Sequence, residues 1–495
     1  MNIKLTLTLL AASISLCTSA VEVTTTPGSL STAVENNTNA TTLVVTGEIN
    51  AADFEFVANE MVSLTTLDLS GAKVVAYSGS PILLGKTNYQ ANAIPAYALA
   101  GSKIESIVLP NDLTIIGEGA FSATKLTSIT IPESVTEIGM GAFSNCDELT
   151  SVIVPSSVTT LGSHAFIDCD KLQTITLGVS KINASTFARC KSLNSVTAIT
   201  LVEIGENAFK GCYSLKNFVF AKNLKIIGNS AFQGSGLTSI DFSTNESLDS
   251  IGAWAFAQCG ALTTAKMNDN TSKIGEGAFF DDASLVSFNM PLACTVAPNY
   301  IFKGATSIDT TYVLNHNVTT IGDYALMGWN HVTTFTLPNN LEYIGSNAFE
   351  GWTSLIQLDA EGIEKAVPEL GANVWEGVDQ SNVSLFVAED LVEDYKITDQ
   401  WKEFKISART SVEDILSDES NHINVYFVGY DLIVKANQEI AQVDLYDSSA
   451  RQYVVELANS EEVTINTSHW NCQFYIVKVI LADGSVSTIK IARRN

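Results

Sequence analysis

LTSVIVPSSVTTLGSHAFIDC, running from Leu149 to Cys169, holds one complete structural unit. Leu149, Val152 and Val154 alternate with Ser151 and Ile153, the period-two pattern of a short strand that buries one face. Pro155 stops the strand, because it has no N–H to give the ladder. Val158 and Leu161 mark a second short apolar segment. Gly162 stands four residues ahead of Phe166, where a tight corner with positive φ accounts for it. Ala165 permits close approach and Phe166 fills the interior, so the pair is expected to pack as a helical turn against the strands.

The phrase recurs along the chain. Its phenylalanines are Phe121, Phe143, Phe166, Phe187, Phe209, Phe232, Phe256, Phe279, Phe302 and Phe349, with Leu326 in one copy. Pro110, Pro132, Pro291 and Pro338 repeat the strand stop, while Gly117, Gly139, Gly205, Gly228, Gly252, Gly275, Gly322 and Gly345 repeat the corner. Asn183 takes the corner in one copy and tolerates positive φ. Pro298 takes it in another and cannot, so a locally different turn is predicted there. The period of about 23 residues is that of leucine-rich solenoids. The predicted fold is an α/β repeat: a right-handed leucine-rich-repeat solenoid of about a dozen coils, each a short strand plus a helical turn. One such unit cannot bury its apolar face alone, so coils must stack into a shared core with a cap at each end.

The remaining segments organise around this array. Residues 1–20 read as a signal peptide: Lys4 supplies the positive start, Leu5 to Leu16 the apolar stretch, and Thr18 and Ala20 the small residues before cleavage at Val21. Cys17 suggests a lipid anchor, but the bulky Leu16 before it opposes that reading. Residues 21–93, with the strand-like run Leu64 to Tyr77, form an N-terminal cap and atypical first repeats. The solenoid spans 94–380. A C-terminal cap spans 381–408, with Leu391, Tyr395, Trp401 and Phe404 placed to cover the last coil. A polar linker occupies 409–421, and short alternating strands over 422–495 predict a small antiparallel β-sandwich.

The net charge of −26, from 53 acidic and 27 basic residues, repels phosphate backbones and anionic lipid. Nucleic acid is therefore not an expected partner. After residue 20 no stretch has the apolar length of a transmembrane helix.

Catalytic constellations are not evident. Cys146, Cys169, Cys190, Cys212 and Cys259 sit three residues after a phenylalanine, where other copies carry Thr124, Ser235, Asp282, Ala305, Trp329 or Trp352. A slot that accepts Cys, Ala or Ser in a stacked array reads as small and buried, holding free thiols despite an exported context. Cys472 reads as core of the tail. His164, His316, His331, His422 and His469 show no metal-binding spacing, and His164 occupies a variable corner expected to be exposed. Asp281-Asp282 lacks a calcium-loop pattern and reads as a solvated corner. No catalytic residue, metal or cofactor is assigned, and an enzyme is not expected. A glycan hydrolase would need two carboxylates paired across a cleft, which sequence alone does not reveal.

The phrase LxxIxIPxxVxxIGxxAFxxC resembles the BspA-like leucine-rich-repeat family of surface and secreted proteins, over roughly Ala93 to Val378. The segment Leu385 to Ile406 resembles the closing segment that follows such repeats in Bacteroidetes. The tail resembles a type IX secretion sorting domain in DLYDSSARQ (Asp444 to Gln452), FYIVKV (Phe474 to Val479) and IKIARR (Ile489 to Arg494). Ala450 and Gln473 depart from that pattern, replacing its usual glycines. The resemblance implies a secreted or surface-displayed binding or adhesion protein with an extracellular protein or glycan ligand from host matrix, mucin or other bacteria; a monomer is expected. A structural envelope component is the alternative reading.

The expected ligand-binding surface is the open strand face, where side chains between the buried ones emerge. It comprises Ser128, Thr130, Ser151, Thr174, Thr176, Ser195, Thr197, Asn217, Ser239, Asp241, Ser287, Asn289, Tyr312, Thr334 and Thr336. This row is hydroxyl-rich and nearly uncharged, although threonine is also an ordinary residue for a solvated strand face. Trp254, Trp329 and Trp352, at repeat corners, are alternative contact anchors.

Overall fold

The computed structural model describes residues 20–308, 314–408, 416–418, 423–428, 431–447, 452–467 and 474–492. Most of the signal segment with Cys17, most of the linker, Tyr312, His422, Ala450, His469, Cys472 and Gln473 lie outside the described residues. The chain divides into two compact units, Met1–Ile240 with Thr244–Leu248, and Asp241–Ser243 with Asp249–Asn495.

The first unit opens with parallel strands Ala20–Thr25, Thr42–Ile49 and Thr66–Val74, followed in the same sheet by Ser106–Val108. Two helices that the repeat pattern did not signal, Leu30–Val34 and Ala51–Glu60, lie between the first three strands. Asn50 and Asp53 close a capping box on the longer helix, satisfying backbone N–H groups that a helix start leaves open. Asp53 also accepts the N–H groups of Gly28 (2.8 Å) and Leu30 (2.9 Å), tying the two helices together. An antiparallel hairpin, Tyr77–Ile82 with Lys86–Tyr89, precedes the regular coils.

The coils then contribute short strands to two ladders, although residues 128–131 and 217–220 form none. Ser151–Val154, Thr174–Leu177 and Ser195–Thr197 pair in parallel on one side. Ala93–Ile94, Ile115–Ile116, Glu137–Ile138 and Thr160–Leu161 pair on the other. Between them the rings of Phe121, Phe143, Phe166, Phe187, Phe209 and Phe232 form a continuous stack. Successive centroids are 5.2, 5.1, 5.5, 5.4 and 5.2 Å apart and no pair is tilted by more than 13°. All six rings are fully buried.

The second unit repeats this construction. Phe256, Phe279 and Phe302 stack at 5.6 and 5.9 Å. Thr334–Thr336, Gln357–Ala360, Ser384–Val387 and Lys405–Ala408 form a parallel sheet. Leu391, Tyr395, Trp401 and Phe404 are all buried, with Trp401 5.3 Å from Trp375 and its indole N–H donating to the Pro368 carbonyl at 3.0 Å. The tail is one antiparallel sheet curled around its own core, not two separate layers. The long strand Asp431–Asp447 pairs with Ile423–Val428, Gln452–Asn466 and Phe474–Leu481, and bulges around Ile440 let it bend between partners. Val425, Val434, Val443, Val477 and Leu481 lie in the enclosed core.

Two expectations about the repeat corner fail, for one reason. Gly117, Gly139, Gly162, Gly205, Gly228 and Gly275 are absent from the residues with positive φ. Positive φ falls instead two residues before and two after the phenylalanine, as at His164 (60°) and Asp168 (58°) around Phe166. The corner glycine is required by approach. A Cβ on Gly162 would lie 2.4 Å from Gly139 C and Met140 N, because the corners stack backbone on backbone. Since the corner φ is not positive, Pro298 fits without a different turn. Tyr300 keeps φ 57°, and the Ile301 N–H reaches the Pro298 carbonyl at 3.2 Å, as the Ala325 N–H reaches Gly322 at 3.3 Å.

The Ala-Phe segment is likewise not a helical turn. Its amides alternate between the next coil and their own turn. Gly141, Phe143 and Asn145 donate to Ser163, Ala165 and Ile167 at 2.8–3.0 Å, while Ala142 and Ser144 donate back to Gly139 and Gly141 at 2.9–3.3 Å. Gly141 and Asn145 are left-handed and Phe143 between them is not, and every second N–H is satisfied across the stack, which a helix would keep within the coil.

Candidate binding surface

The open strand face of the first unit carries two rows of side chains locked in register. Ser151 lies beside Thr174 and Thr174 beside Ser195, and Ile153, Thr176 and Thr197 form the parallel row. Neighbours in a parallel sheet lie about 4.8 Å apart. Ser128, Thr130, Asn217 and Ser239 are also exposed. Two exposed apolar side chains, Ile153 (67%) and Val219 (76%), interrupt the hydroxyls. The face is therefore mixed methyl and hydroxyl, not purely polar.

Charges of this unit pair with each other away from these rows. Lys171 meets Glu148 at 2.7 Å, Lys191 meets Asp170 at 2.8 Å, Lys181 meets Glu203 at 2.8 Å, and Arg189 meets Asp168 at 2.5 Å, each bridging adjacent coils. The Lys171 ammonium holds the Glu148 carboxyl below its ordinary range, and the Asp168 carboxylate raises Arg189. Exposed pairs of this kind add little stability, but they leave the strand rows nearly free of net charge.

In the second unit Ser287, Thr334 and Thr336 are exposed. Asp241 is exposed too, but its carboxylate is engaged: Oδ1 accepts from Ser243 N (2.9 Å) and Oγ (2.6 Å), which lowers its pKa. Asn289 is half-buried. Its Oδ1 accepts the Met267 N–H at 3.0 Å and its Nδ2 donates to the Met267 carbonyl at 3.3 Å. The side chain thus completes the strand ladder and faces a ligand only in part. The row beside Thr334 continues through Gln357, which was not among the expected surface residues, and Ser384 to Lys405, which fall in the segment read as the cap. The signal that would have found them is the alternation in Gln357–Ala360 and Ser384–Val387, which lacks the Ala-Phe phrase.

Trp329 and Trp352 do not act as surface anchors. Both are fully buried, stacked at 5.6 Å, and their indole N–H groups donate to the carbonyls of Phe302 (3.2 Å) and Leu326 (2.8 Å). The slot they share with the cysteines is buried but not uniformly small. It enlarges beside the coil in which Leu326 replaces the phenylalanine. Trp254 is half-buried, packed against Phe280 at 5.2 Å and lying over Gly277. His164 is half-buried at a left-handed position, and His331 Nε2 contacts the Ile308 carbonyl at 2.9 Å. Asp281 is exposed, but Asp282 is buried, so the solvated-corner reading fails for the second residue.

Among the described residues six cysteines, Cys146, Cys169, Cys190, Cys212, Cys259 and Cys294, are buried thiols outside any disulfide. Burial pushes the thiols of Cys146 and Cys212 up to about 12. Among the described residues no group of three or more His, Cys, Asp or Glu is placed to hold a metal ion. No helix among them is long and apolar enough to cross a membrane.

Stacked parallel coils, an internal phenylalanine ladder and a register-locked open face define a leucine-rich-repeat solenoid. The chain belongs to the BspA type leucine rich repeat family, whose model matches residues 92–203, 180–309 and 297–382. A leucine-rich repeat protein from Bacteroides ovatus is similar in fold, with 24% identity, 74% of this chain and 84% of that chain covered, and a TM-score of 0.50. A leucine rich cell surface protein from Faecalibacterium prausnitzii shares 22% identity over 57% of this chain and 85% of its own, with a TM-score of 0.32. No curated protein matches the sequence.

Proposed function

We propose that this protein is an exported, surface-displayed binding or adhesion protein whose open strand face contacts an extracellular protein or glycan. The observation that carries this reading is the register of the exposed rows. Ser151, Thr174 and Ser195, with Ile153, Thr176 and Thr197 beside them, repeat one surface chemistry at a fixed spacing. Repetition at fixed spacing lets weak contacts add when the ligand is itself extended or repetitive. The signal-peptide pattern of residues 1–20 and the family membership support export.

The purified chain, applied to immobilised matrix proteins, mucins and glycans, should show saturable binding. Thr174→Arg with Thr176→Arg should weaken it at least tenfold while leaving the thermal midpoint in place, because both side chains are exposed. Binding that survives this change would move the site off the strand face. Absence of saturable binding to every ligand class would favour an envelope spacer.

The curled C-terminal sheet is proposed to act in sorting or tethering, on the resemblance of residues 444–452, 474–479 and 489–494 to a type IX sorting domain. Removal of 422–495 should leave the chain folded but retained inside the outer membrane. Unchanged surface display would reject that role.

A further inference from the structure

Asp282 stands in the slot three residues after Phe279, where most coils carry a hydrogen-bond donor. Cys146, Cys169, Cys190 and Cys212 each direct Sγ–H to the carbonyl of the phenylalanine one coil back, all at 3.1 Å. Trp329 and Trp352 use their indole N–H groups in the same way. An ionised carboxylate has no proton to donate. Asp282 is nonetheless fully buried. Its Oδ1 accepts the N–H of Cys259 at 2.7 Å, and its Oδ2 is buried without a hydrogen-bond partner among the described residues.

Among the described residues, what acts on the Asp282 carboxyl is that one amide and a like charge. The flanking slots hold the Cys259 thiol and the Ala305 methyl group. The charge acting on Asp282 is the carboxylate of Asp281, exposed on the same turn, and it is repulsive. Burial drives the carboxyl well above the usual carboxylate range, Asp281 adds to that, and the Cys259 amide opposes it. A buried ion without a partner is far more costly than the neutral acid.

We propose that Asp282 is carried as a neutral carboxylic acid and serves as a proton latch, so that losing this proton as pH rises loosens the coil between Cys259 and Asp282. The strands that follow these two residues, Thr264–Lys266 and Ser287–Phe288, pair in register through Thr264 and Ser287. Opening the latch therefore disorders the part of the open face that includes Ser287. This consequence is independent of which ligand the face takes.

The sign follows from linkage. The ordinary aspartate value is about 3.9 in an unfolded chain. Above that value the folded state holds a proton that the unfolded state has released. Stability from this group is fully present below the unfolded pKa and is lost as pH rises through the folded pKa. Within that window the opening equilibrium constant grows about tenfold per pH unit.

Hydrogen–deuterium exchange of the full chain, followed on peptides spanning 255–290 from about pH 5 to about pH 9, tests this. Asp282→Asn keeps an acceptor for the Cys259 N–H and supplies its own donor without a titrating proton. The ratio of wild-type to Asp282→Asn opening should climb by up to tenfold per pH unit. Parallel profiles would overturn the proposal. If Asp282→Asn does not fold, Asp282→Cys installs the residue found in five other copies and serves as the flat reference. Infrared difference spectra supply a second readout: wild-type protein at neutral pH should show a carboxylic-acid carbonyl band that the variants lack. Its absence would show an ionised Asp282 and reject the latch.

Discussion

Phe209→Ala tests the construction of the first unit at a fully buried ring of the stack. Phe209 is fully buried between Phe187 at 5.4 Å and Phe232 at 5.2 Å, both tilted 13°, and Phe218 meets it edge-on at 5.3 Å and 65°. Burying a phenylalanine removes about 150–250 Å² from water. At about 25 cal/mol per Å² that is about 4–6 kcal/mol, an upper value because denatured chains already bury some surface. Truncation to alanine retains part of it but opens a cavity and breaks three ring contacts, each contributing about 0.5–1.5 kcal/mol. Stacked backbone on both sides limits collapse into the hole, as the 2.7 Å approach of a Gly228 Cβ to Glu206 N indicates. The expected loss is about 3–5 kcal/mol. Urea unfolding followed by far-ultraviolet circular dichroism reads it as a lower midpoint at unchanged slope. Phe209→Leu, which refills most of the volume, should recover more than half. A loss below about 1 kcal/mol for the alanine variant would mean that the rings do not hold the coils together.

Other changes probe separate features. Gly162→Ala should destabilise by about 1–3 kcal/mol or more through the clash with Gly139 and Met140, whereas Gly141→Ala, at φ 59° with its nearest neighbour the Ser144 hydroxyl at 3.5 Å, should cost only about 1 kcal/mol. Equal losses in thermal melts would return positive φ as the reason for the corner glycine. Because burial holds the Cys146 and Cys212 thiols near 12, aromatic disulfide reagents at about pH 8 should consume neither until the chain is unfolded. Rapid native labelling of either would place them at the surface. Trp401→Ala should lower the unfolding midpoint by removing a buried ring and leaving the Pro368 carbonyl without its indole donor, a loss of about 3–5 kcal/mol. Proteolysis should then begin within residues 381–408, the segment expected to cap the last coil. Resistance unchanged from wild type would contradict its capping role.

Local chemistry carried much of the fold into the sequence. The alternation in Leu149–Val154 states which side chains turn inward, because successive strand residues face opposite ways. The return of Ala-Phe at nearly constant spacing states that the inward residues meet their counterparts one coil away. The six-ring stack from Phe121 to Phe232 follows from those two periods. Helices Leu30–Val34 and Ala51–Glu60 escaped notice because they lie outside the period, and the capping box of Asn50 and Asp53 was their available sign.

Other properties arise only when coils press on one another. A glycine needed for left-handed backbone and a glycine needed for close approach look identical in one dimension, and only the 2.4 Å clash at Gly162 separates them. The same holds for the slot after the phenylalanine. Trp329, Trp352 and Asp282 looked like surface residues by type, yet all three are enclosed. Strand faces, the repeat and the inward rings are legible along the chain, because these depend on a residue and its near neighbours. Tertiary structure alone decided what each slot can hold and how the exposed rows align. Those depend on distances between backbones about 23 residues apart, which no local pattern encodes.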